Sequence, residues 1–438
     1  MTSEEAQRYL LEQAHARGVD VEILEARSRE FTARAFQGRL EQLTQAERGG
    51  VGIRVASGGR VGYAYSEELS LAALDWLLEE ALQNAALQEQ STEFIPDGRP
   101  LGRQDLLGAS LAAPPEAKVQ AALGLEATIR EDPRVKQVVY GSYTERETDV
   151  GLASTRGASG AYRRGLAGMA GSVVMQEGTS VKQGWDSQWV TDLQHLDPGR
   201  TALQLTQRTG RLLGARPLRT GRYTAYFEPK AFVDILGAFW PLWSGRTVME
   251  KKSRLAGRLG EQIGSPLLTL IDDPTLPGGL ASRPFDAEGT PARPITLVAQ
   301  GNLLAFLTNA ETARVLNLEN SGHAARHYRG TVGIAPSNLY MVPGTGITLR
   351  DGVLVTEVMG VHAGANFISG EFSVQALGLR VEGGEVAYPV ENFAVAGDFL
   401  ALLRQITALG PTLTWQPGWA GAFGVPMLEV TDLSFAGA

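Results

Sequence analysis

Two short segments hold the residues best suited to chemistry. The first is His323-Ala324-Ala325-Arg326-His327, followed by Arg329. Two histidines four apart share one face of a helix, about 40° apart, the spacing of a metal-ligating pair. Ala324, however, stands where an H-E-x-x-H zinc protease carries its general base, and no third ligand is evident. The flanking Ser321-Gly322 and Gly330 suggest a loop instead. In that alternative the imidazoles hydrogen-bond or line a groove, and Arg326 and Arg329 add a small basic patch to an acidic protein. Such a patch can receive a peptide carboxylate or an acidic partner loop, or it can be simply solvated. The second segment is Asp286-Ala287-Glu288-Gly289. On an extended chain its two carboxylates point the same way, where they can hold a metal or raise one pKa for acid–base work. Gly289 and Pro291 offer the alternative of a turn. Asp272-Asp273-Pro274 reads as a turn whose carboxylates cap backbone N–H groups.

Other chemistries lack the residues to carry them. Cysteine is absent from the 438 residues, which excludes a thiol nucleophile, a disulfide scaffold and Cys-ligated zinc or iron–sulfur centres within this chain. There is no G-x-x-x-x-G-K-[ST] phosphate loop and no G-x-S-x-G elbow. A serine triad stays open, because its members can lie far apart. Its base would be His15, His195, His323, His327 or His362. Lys and Arg number 40 against 48 Asp and Glu, a net charge of −8, which argues against nucleic-acid binding. The longest apolar stretch, 232–243, is broken by Asp234 and Pro241 and is too short for a membrane span. Met1-Thr2-Ser3-Glu4-Glu5 has no basic start leading into an apolar run. The expectation is a cytoplasmic protein with no membrane contact.

The elements that would position these residues give an α+β class. Thr2 and Glu5 form a capping box, and Gly18 closes the helix they start. Residues 52–65 alternate as a hairpin around Ser57-Gly58-Gly59. Ser70 caps a helix with Leu71, Leu74, Leu78, Ala81 and Leu82 on one stripe. These make an N-terminal α+β unit, 1–95. The segment 96–115, with Pro96, Gly98, Pro100, Pro114 and Pro115, reads as a linker. A middle α+β domain, 116–220, begins with a helix over 116–129 and continues as antiparallel-strand-rich chain over 135–190. Asp197-Pro198 opens its last helix. The remainder, 221–438, is a large β-rich C-terminal domain with one prominent helix from Pro229 towards residue 255. Phe232, Ile235, Leu236 and Phe239 lie at helical spacing there, and Pro241 bends or breaks it. Trp240, Trp243, Trp415 and Trp419 suit a buried core or a subunit interface.

Against that frame, an ordered set of segments resembles the TldD/PmbA family of bacterial metalloproteases. It runs through Ser253-Arg254-Leu255-Ala256-Gly257-Arg258-Leu259-Gly260, Leu270-Ile271-Asp272-Asp273-Pro274 and Phe285-Asp286-Ala287-Glu288-Gly289-Thr290-Pro291. Leu307-Thr308-Asn309, Asn320-Ser321-Gly322-His323-Ala324-Ala325-Arg326 and Gly370-Glu371-Phe372-Ser373 follow in order. The resemblance covers nearly the whole chain and is strongest after Arg222.

What the resemblance implies is specific. TldD-like members carry H-E-x-x-x-H on a helix plus a distant Cys, and bind the catalytic metal. PmbA-like, or TldE-like, members lack those ligands and pair with a TldD-like subunit. That window falls here on Gly237, Ala238, Phe239, Trp240, Pro241 and Leu242, with neither His nor Glu. The implied part is a PmbA-like subunit with no catalytic residue, metal or cofactor of its own, zinc being expected in a TldD-like partner. The pair would form a heterodimer, with a homodimer when this chain is alone, that degrades or processes unfolded or short peptides. Asp286, Glu288, His323, Arg326, His327 and Arg329 would then line the chamber or the dimer seam. The family's label as a modulator of DNA gyrase describes a phenotype and implies no contact with gyrase. Two other readings stay open: a homodimeric scaffold or modulator without enzymatic activity, and a divergent hydrolase using His323 and His327.

Overall fold

The computed structural model describes residues 1–108, 111 and 113–437. Long alternating stretches dominate the first half of the chain and pair into one sheet. Its strands are β1 (Asp20–Phe36), β2 (Arg39–Ser57), β3 (Arg60–Ser66), β4 (Pro100–Leu106), β5 (Val135–Ser154), β6 (Ser159–Glu177) and β7 (Ser180–Val190). The order is β3-β2-β1-β5-β6, with β4 (parallel) and β7 (antiparallel) following one another along the far edge of β6. Two-residue turns close the β1–β2, β2–β3 and β6–β7 hairpins. Gly58 and Gly59, at φ 58° and 76°, adopt the left-handed backbone that such a turn requires.

Helices cover one face of this sheet. α1 (Ser3–Arg17) carries the Thr2–Glu5 capping box and ends on left-handed Gly18. With α2 (Leu71–Leu87), it packs on Val21, Ile23, Val51, Ile53 and Val55. α3 (Pro115–Ile129) and α4 (Pro198–Gly210) cover the other end, over Phe31, Ala33, Val138, Met169 and Val173. The α+β class therefore holds, but the segment 96–115 is more than a connection. Its residues form β4, and β1 pairs with β5 from Glu22↔Ser154 to Ala35↔Gly141. The N-terminal unit and the middle region thus share one sheet. Ala109, Ser110 and Ala112 of that segment lie outside the described residues, as does Ala438.

Among the described residues, the C-terminal half holds two large sheets around α5 (Pro229–Phe239) and a two-stranded one, Ala324–Ala325 with Gly333–Ile334. A six-stranded sheet has Leu270–Asp272 and Asn338–Met341 at its centre and Thr414–Gly418 at one edge. In the other, Leu428–Ala436, Gly221–Phe227, Gly352–Met359, Glu371–Glu382 and Glu385–Asp398 pair in a ring, which closes where 394–396 meet 434–436. Those five strands make a small barrel. One core joins both sheets to α5 through Phe227, Phe232, Phe239, Trp243 and Phe399. The long helix expected from Pro229 comes in three pieces. Pro241 sits in a 3-10 turn, Trp240–Trp243, that separates α5 from the short helix Gly245–Met249. Trp243 is fully buried, Trp240 and Trp415 are half-buried, and Trp419 is exposed. No helix among the described residues is long and apolar enough to cross a membrane.

Two substitutions test this packing. A Cβ on Gly52 would lie 1.8 Å from the Tyr328 carbonyl oxygen, where the second half of the chain meets β2. Gly52→Ala is expected to lower unfolding free energy by about 2–4 kcal/mol in urea titration. Burial between α1 and the sheet pushes the Glu25 carboxyl up to about 7. A folded pKa above the unfolded one means that stability is full below the unfolded value and falls as pH rises towards 7. Glu25→Gln should therefore exceed the wild type by about 1–3 kcal/mol near pH 8 and match it near pH 4.

Candidate functional site

The strongest concentration of charge lies where the first sheet meets the C-terminal half. Alternation places it there. Val21, Ile23, Ile53 and Val55 point to α1 and α2, so Glu22 and Arg54, paired in register, point the other way. Against them stand the 286–288 turn and the 323–328 segment. Arg54 Nη2 donates to Glu22 Oε2 at 2.9 Å, and Nη1 donates to Glu288 Oε1 at 2.9 Å. All three side chains are buried. The other Glu288 oxygen accepts the Ala310 N–H (2.8 Å) at the start of the helix Ala310–Leu316. Burial alone would lower the Arg54 pKa, but Glu22 and Glu288 raise it above its ordinary value. The Arg326 side chain is buried beside them, with Nη2 3.5 Å from Glu22 Oε1. Its Nε and Nη2 find no hydrogen-bond partner, and burial holds its pKa below the usual arginine value.

Asp286 and Glu288 do not converge on a shared ligand. Gly289, at φ 78°, closes a turn around Asp286. Asp286 Oδ1 accepts the N–H groups of Glu288 and Thr290, and Oδ2 accepts that of Ala324, each at 2.9 Å. Burial pushes both carboxyls up, opposed at Asp286 by those amides and at Glu288 by Arg54. One carboxylate ties backbone together and the other joins the two halves of the chain.

The histidines also separate. His323 is buried, with Nδ1 2.9 Å from Ser321 Oγ and Nε2 2.8 Å from Asp272 Oδ1. Ser337 N–H donates to Asp272 Oδ2 at 2.8 Å. Burial would raise the Asp272 carboxyl, but His323, Ser337 and Arg283 together hold it below its ordinary range. Ser321, His323 and Asp272 therefore line up as a serine triad would. Yet all three are buried, and Ser321 Oγ already accepts the Thr308 N–H at 2.6 Å. No substrate reaches that hydroxyl, so the line is a strut. Asp272 consequently does more than shape a turn, whereas Asp273 does cap the Thr275 N–H. His327 is exposed and tilts against the Tyr328 ring. With both His323 nitrogens engaged, the two histidines make no ion-binding pair. The loop expected to carry one basic patch is split. Arg326 points inward, while Arg329 sits at the surface, bound to Glu67 and the Tyr328 hydroxyl.

The window Gly237, Ala238, Phe239, Trp240, Pro241 and Leu242 covers the end of α5 and the 3-10 turn. Phe239 stacks on Phe399 at 4.3 Å and 3°, and Leu242 is buried. A second charged group lies at the start of α5. Lys230 donates to the Trp185 carbonyl (2.6 Å), stands 3.7 Å over the Trp185 ring, and is 3.5 Å from Asp186. Arg208 of α4 and Arg211 just after it both meet Glu228. Sequence reading did not single out Glu22, Arg54 or Lys230, and took Asp272 only as part of a turn. A signal existed for two of them. Glu22 and Arg54 are charges set inside the apolar runs Val21-Glu22-Ile23 and Ile53-Arg54-Val55.

Family models cover most of this architecture. Those described as PmbA/TldA metallopeptidase domain 1, central domain and C-terminal domain match residues 21–85, 109–213 and 220–437. Among curated proteins, the chain is 26% identical over 425 residues to "Metalloprotease PmbA" of Escherichia coli O157:H7, covering 93% of this chain and 92% of that one. It is 24% identical to "Metalloprotease TldD homolog" of Haemophilus influenzae, covering 89% and 86%. Among solved structures, a Thermotoga maritima protein described as a candidate modulator of a DNA gyrase matches at TM-score 0.90. Identity is 30%, and 99% of this chain and 100% of that one are covered. The fold is also that of TldE from Thermococcus kodakarensis, at TM-score 0.89, 22% identity, and 98% and 100% coverage.

The buried bridge predicts its own pH signature. Arg54→Met leaves Glu22 and Glu288 buried without their shared cation, which should cost about 3–5 kcal/mol near pH 7.5. Without Arg54 to lower it, the Glu288 folded pKa rises further, so the deficit shrinks as the pH falls and protonation removes that charge. Denaturant midpoints of both proteins near pH 5 and pH 7.5 check this. A deficit that does not change with pH would contradict it.

Proposed function

This chain belongs to the PmbA/TldD metallopeptidase family, and from that premise we propose that it is the family's metal-free, PmbA- or TldE-like subunit. The family name implies a metal ion, and the residues present do not fit one. A catalytic zinc needs about three protein ligands and an open position. The window that the resemblance assigns to the ligands offers Gly237, Ala238, Phe239, Trp240, Pro241 and Leu242, and its Phe239 ring is committed to the core. Among the described residues, no three His, Cys, Asp or Glu side chains gather to hold an ion. His323, the best single donor by sequence, has both nitrogens bonded. The observation that carries the reading is the chemistry of that α5 window.

In this reading a TldD-like partner supplies zinc and the reacting water, and peptide cleavage takes place in the paired complex. This chain contributes rigid walls and a surface for extended peptide. Edge strands suit that work, since backbone hydrogen bonds hold a peptide with little sequence preference. β4 and Thr414–Gly418 both end their strand orders. Asp286, Glu288, His323 and the Arg326 side chain support these walls from within, because they are buried already in the single chain. Only His327 and Arg329 of the six remain exposed to a partner.

The test is reconstitution. The purified chain is expected to leave unfolded casein and short peptides intact. Mixed with the TldD-like protein of the same genome, it should co-elute and cleave them, with zinc tracking the partner's concentration. Turnover by this chain alone, or stoichiometric zinc lost on His323→Ala, would overturn the reading. Recovery from the native cell only as a homodimer would favour a scaffold.

A further inference from the structure

A cleft of 1020 Å³ opens between the first sheet and the C-terminal half, away from the buried bridge. Its volume is at the upper end of the roughly 300–1,000 Å³ of small-molecule sites. β4, β6 and β7 supply one wall, including Asp105, Arg164 and Trp189. The segment 274–284, with Tyr340 and Trp415, supplies the other. The Tyr340 and Trp415 rings lie against each other, 5.6 Å apart at 57°.

Arg283 lines this cleft, and its Nε and Nη2 are shielded from solvent with no hydrogen-bond partner. Two carboxylates, Asp272 and Asp286, lie close enough to feel its charge. Neither is available to its N–H groups as a partner. Asp272 is taken by His323 and Ser337, and Asp286 by three backbone amides. Asp105, on the cleft wall, accepts the Leu107 N–H. The guanidinium is thus balanced in charge at a distance while its planar donor fork stays unused. Arg283 is half-buried, but unmade hydrogen bonds at its shielded donors are costly, and the group that repairs this geometry best is a carboxylate. Beside it, β4 offers a sheet edge and the aromatic pair an apolar wall.

We infer that this cleft is a peptide-carboxylate site, in which Arg283 swings its shielded fork into the cleft to receive the carboxylate of an extended peptide lying between β4 and the 274–284 segment. The inference rests on the reading of this chain as a peptide-handling subunit and adds the chemical end of the peptide that it grips.

Fluorescence anisotropy on the full chain tests it, with one labelled peptide free of Asp and Glu made as the free acid and as the C-terminal amide. A third form, the amide with one internal Glu, separates the two sources of carboxylate. The free acid, or the amide with Glu, should bind about tenfold or more tightly than the plain amide. Arg283→Lys keeps the charge near Asp272 and Asp286 but loses the fork, and should cut that preference by about threefold or more. A benzophenone placed beside the preferred carboxylate should cross-link to residues 274–284 in the wild type, which decides the matter should the variant not fold. Equal binding of all three forms, no binding, full preference retained in Arg283→Lys, or cross-links elsewhere would each overturn the site. A paired complex that cleaves peptides while acid and amide bind alike would remove this site and leave the pairing intact. Discrimination by Arg283 in a chain that never pairs would do the reverse.

Discussion

The arrangement depends on one buried cation. Arg54 stands between Ile53 and Val55, which face helices, and it reaches across to Glu288 of a distant turn while holding Glu22 of its own sheet. A buried charge without partners is among the most expensive features a protein can contain, so the three groups are stable only together. That requirement fixes the docking of the two halves to within hydrogen-bond distance. Apolar packing alone, which is non-directional, would leave their relative slide less defined. The close approach of the Tyr328 carbonyl to Gly52 belongs to the same junction, because only a residue without Cβ admits that backbone contact.

A second constraint is the centrality of α5. Its start is anchored to β7 through Lys230, Trp185 and Asp186, and its end is stacked into the core by Phe239 and Phe399. A helix held at both ends in this way is a rigid post. Where the resemblance implies ligands at this place in a TldD-like relative, a post would hold them steady; here its inner face carries aromatic and aliphatic side chains that bind the barrel to the six-stranded sheet.

Local signals were legible and partnerships were not. The capping box at Thr2, the Ser57–Arg60 turn, the Asp197-Pro198 helix start and the break at Pro241 each depend on residues a few positions apart, and all appear as expected. The membership of β4 in the first sheet depends on β6, more than fifty residues onward, and proline-rich composition concealed it. His323 and Arg326 look like polar loop residues because nothing nearby in sequence reveals Asp272 or Glu22. Burial of a charge is decided by what packs on it from elsewhere. For that reason the site segments were found while their orientation was not.

The ring of five strands has an implication for synthesis. The strand that seals it, Leu428–Ala436, leaves the ribosome after all four others of the ring, whereas every strand of the first sheet is made before residue 191. Until that late segment arrives, Gly221–Phe227 and Glu385–Asp398 each expose an open flank able to recruit a strand from another molecule. The nascent C-terminal half is therefore the vulnerable part, and interruption of translation shortly before that strand would release a sticky, unsealed intermediate alongside an already complete first sheet.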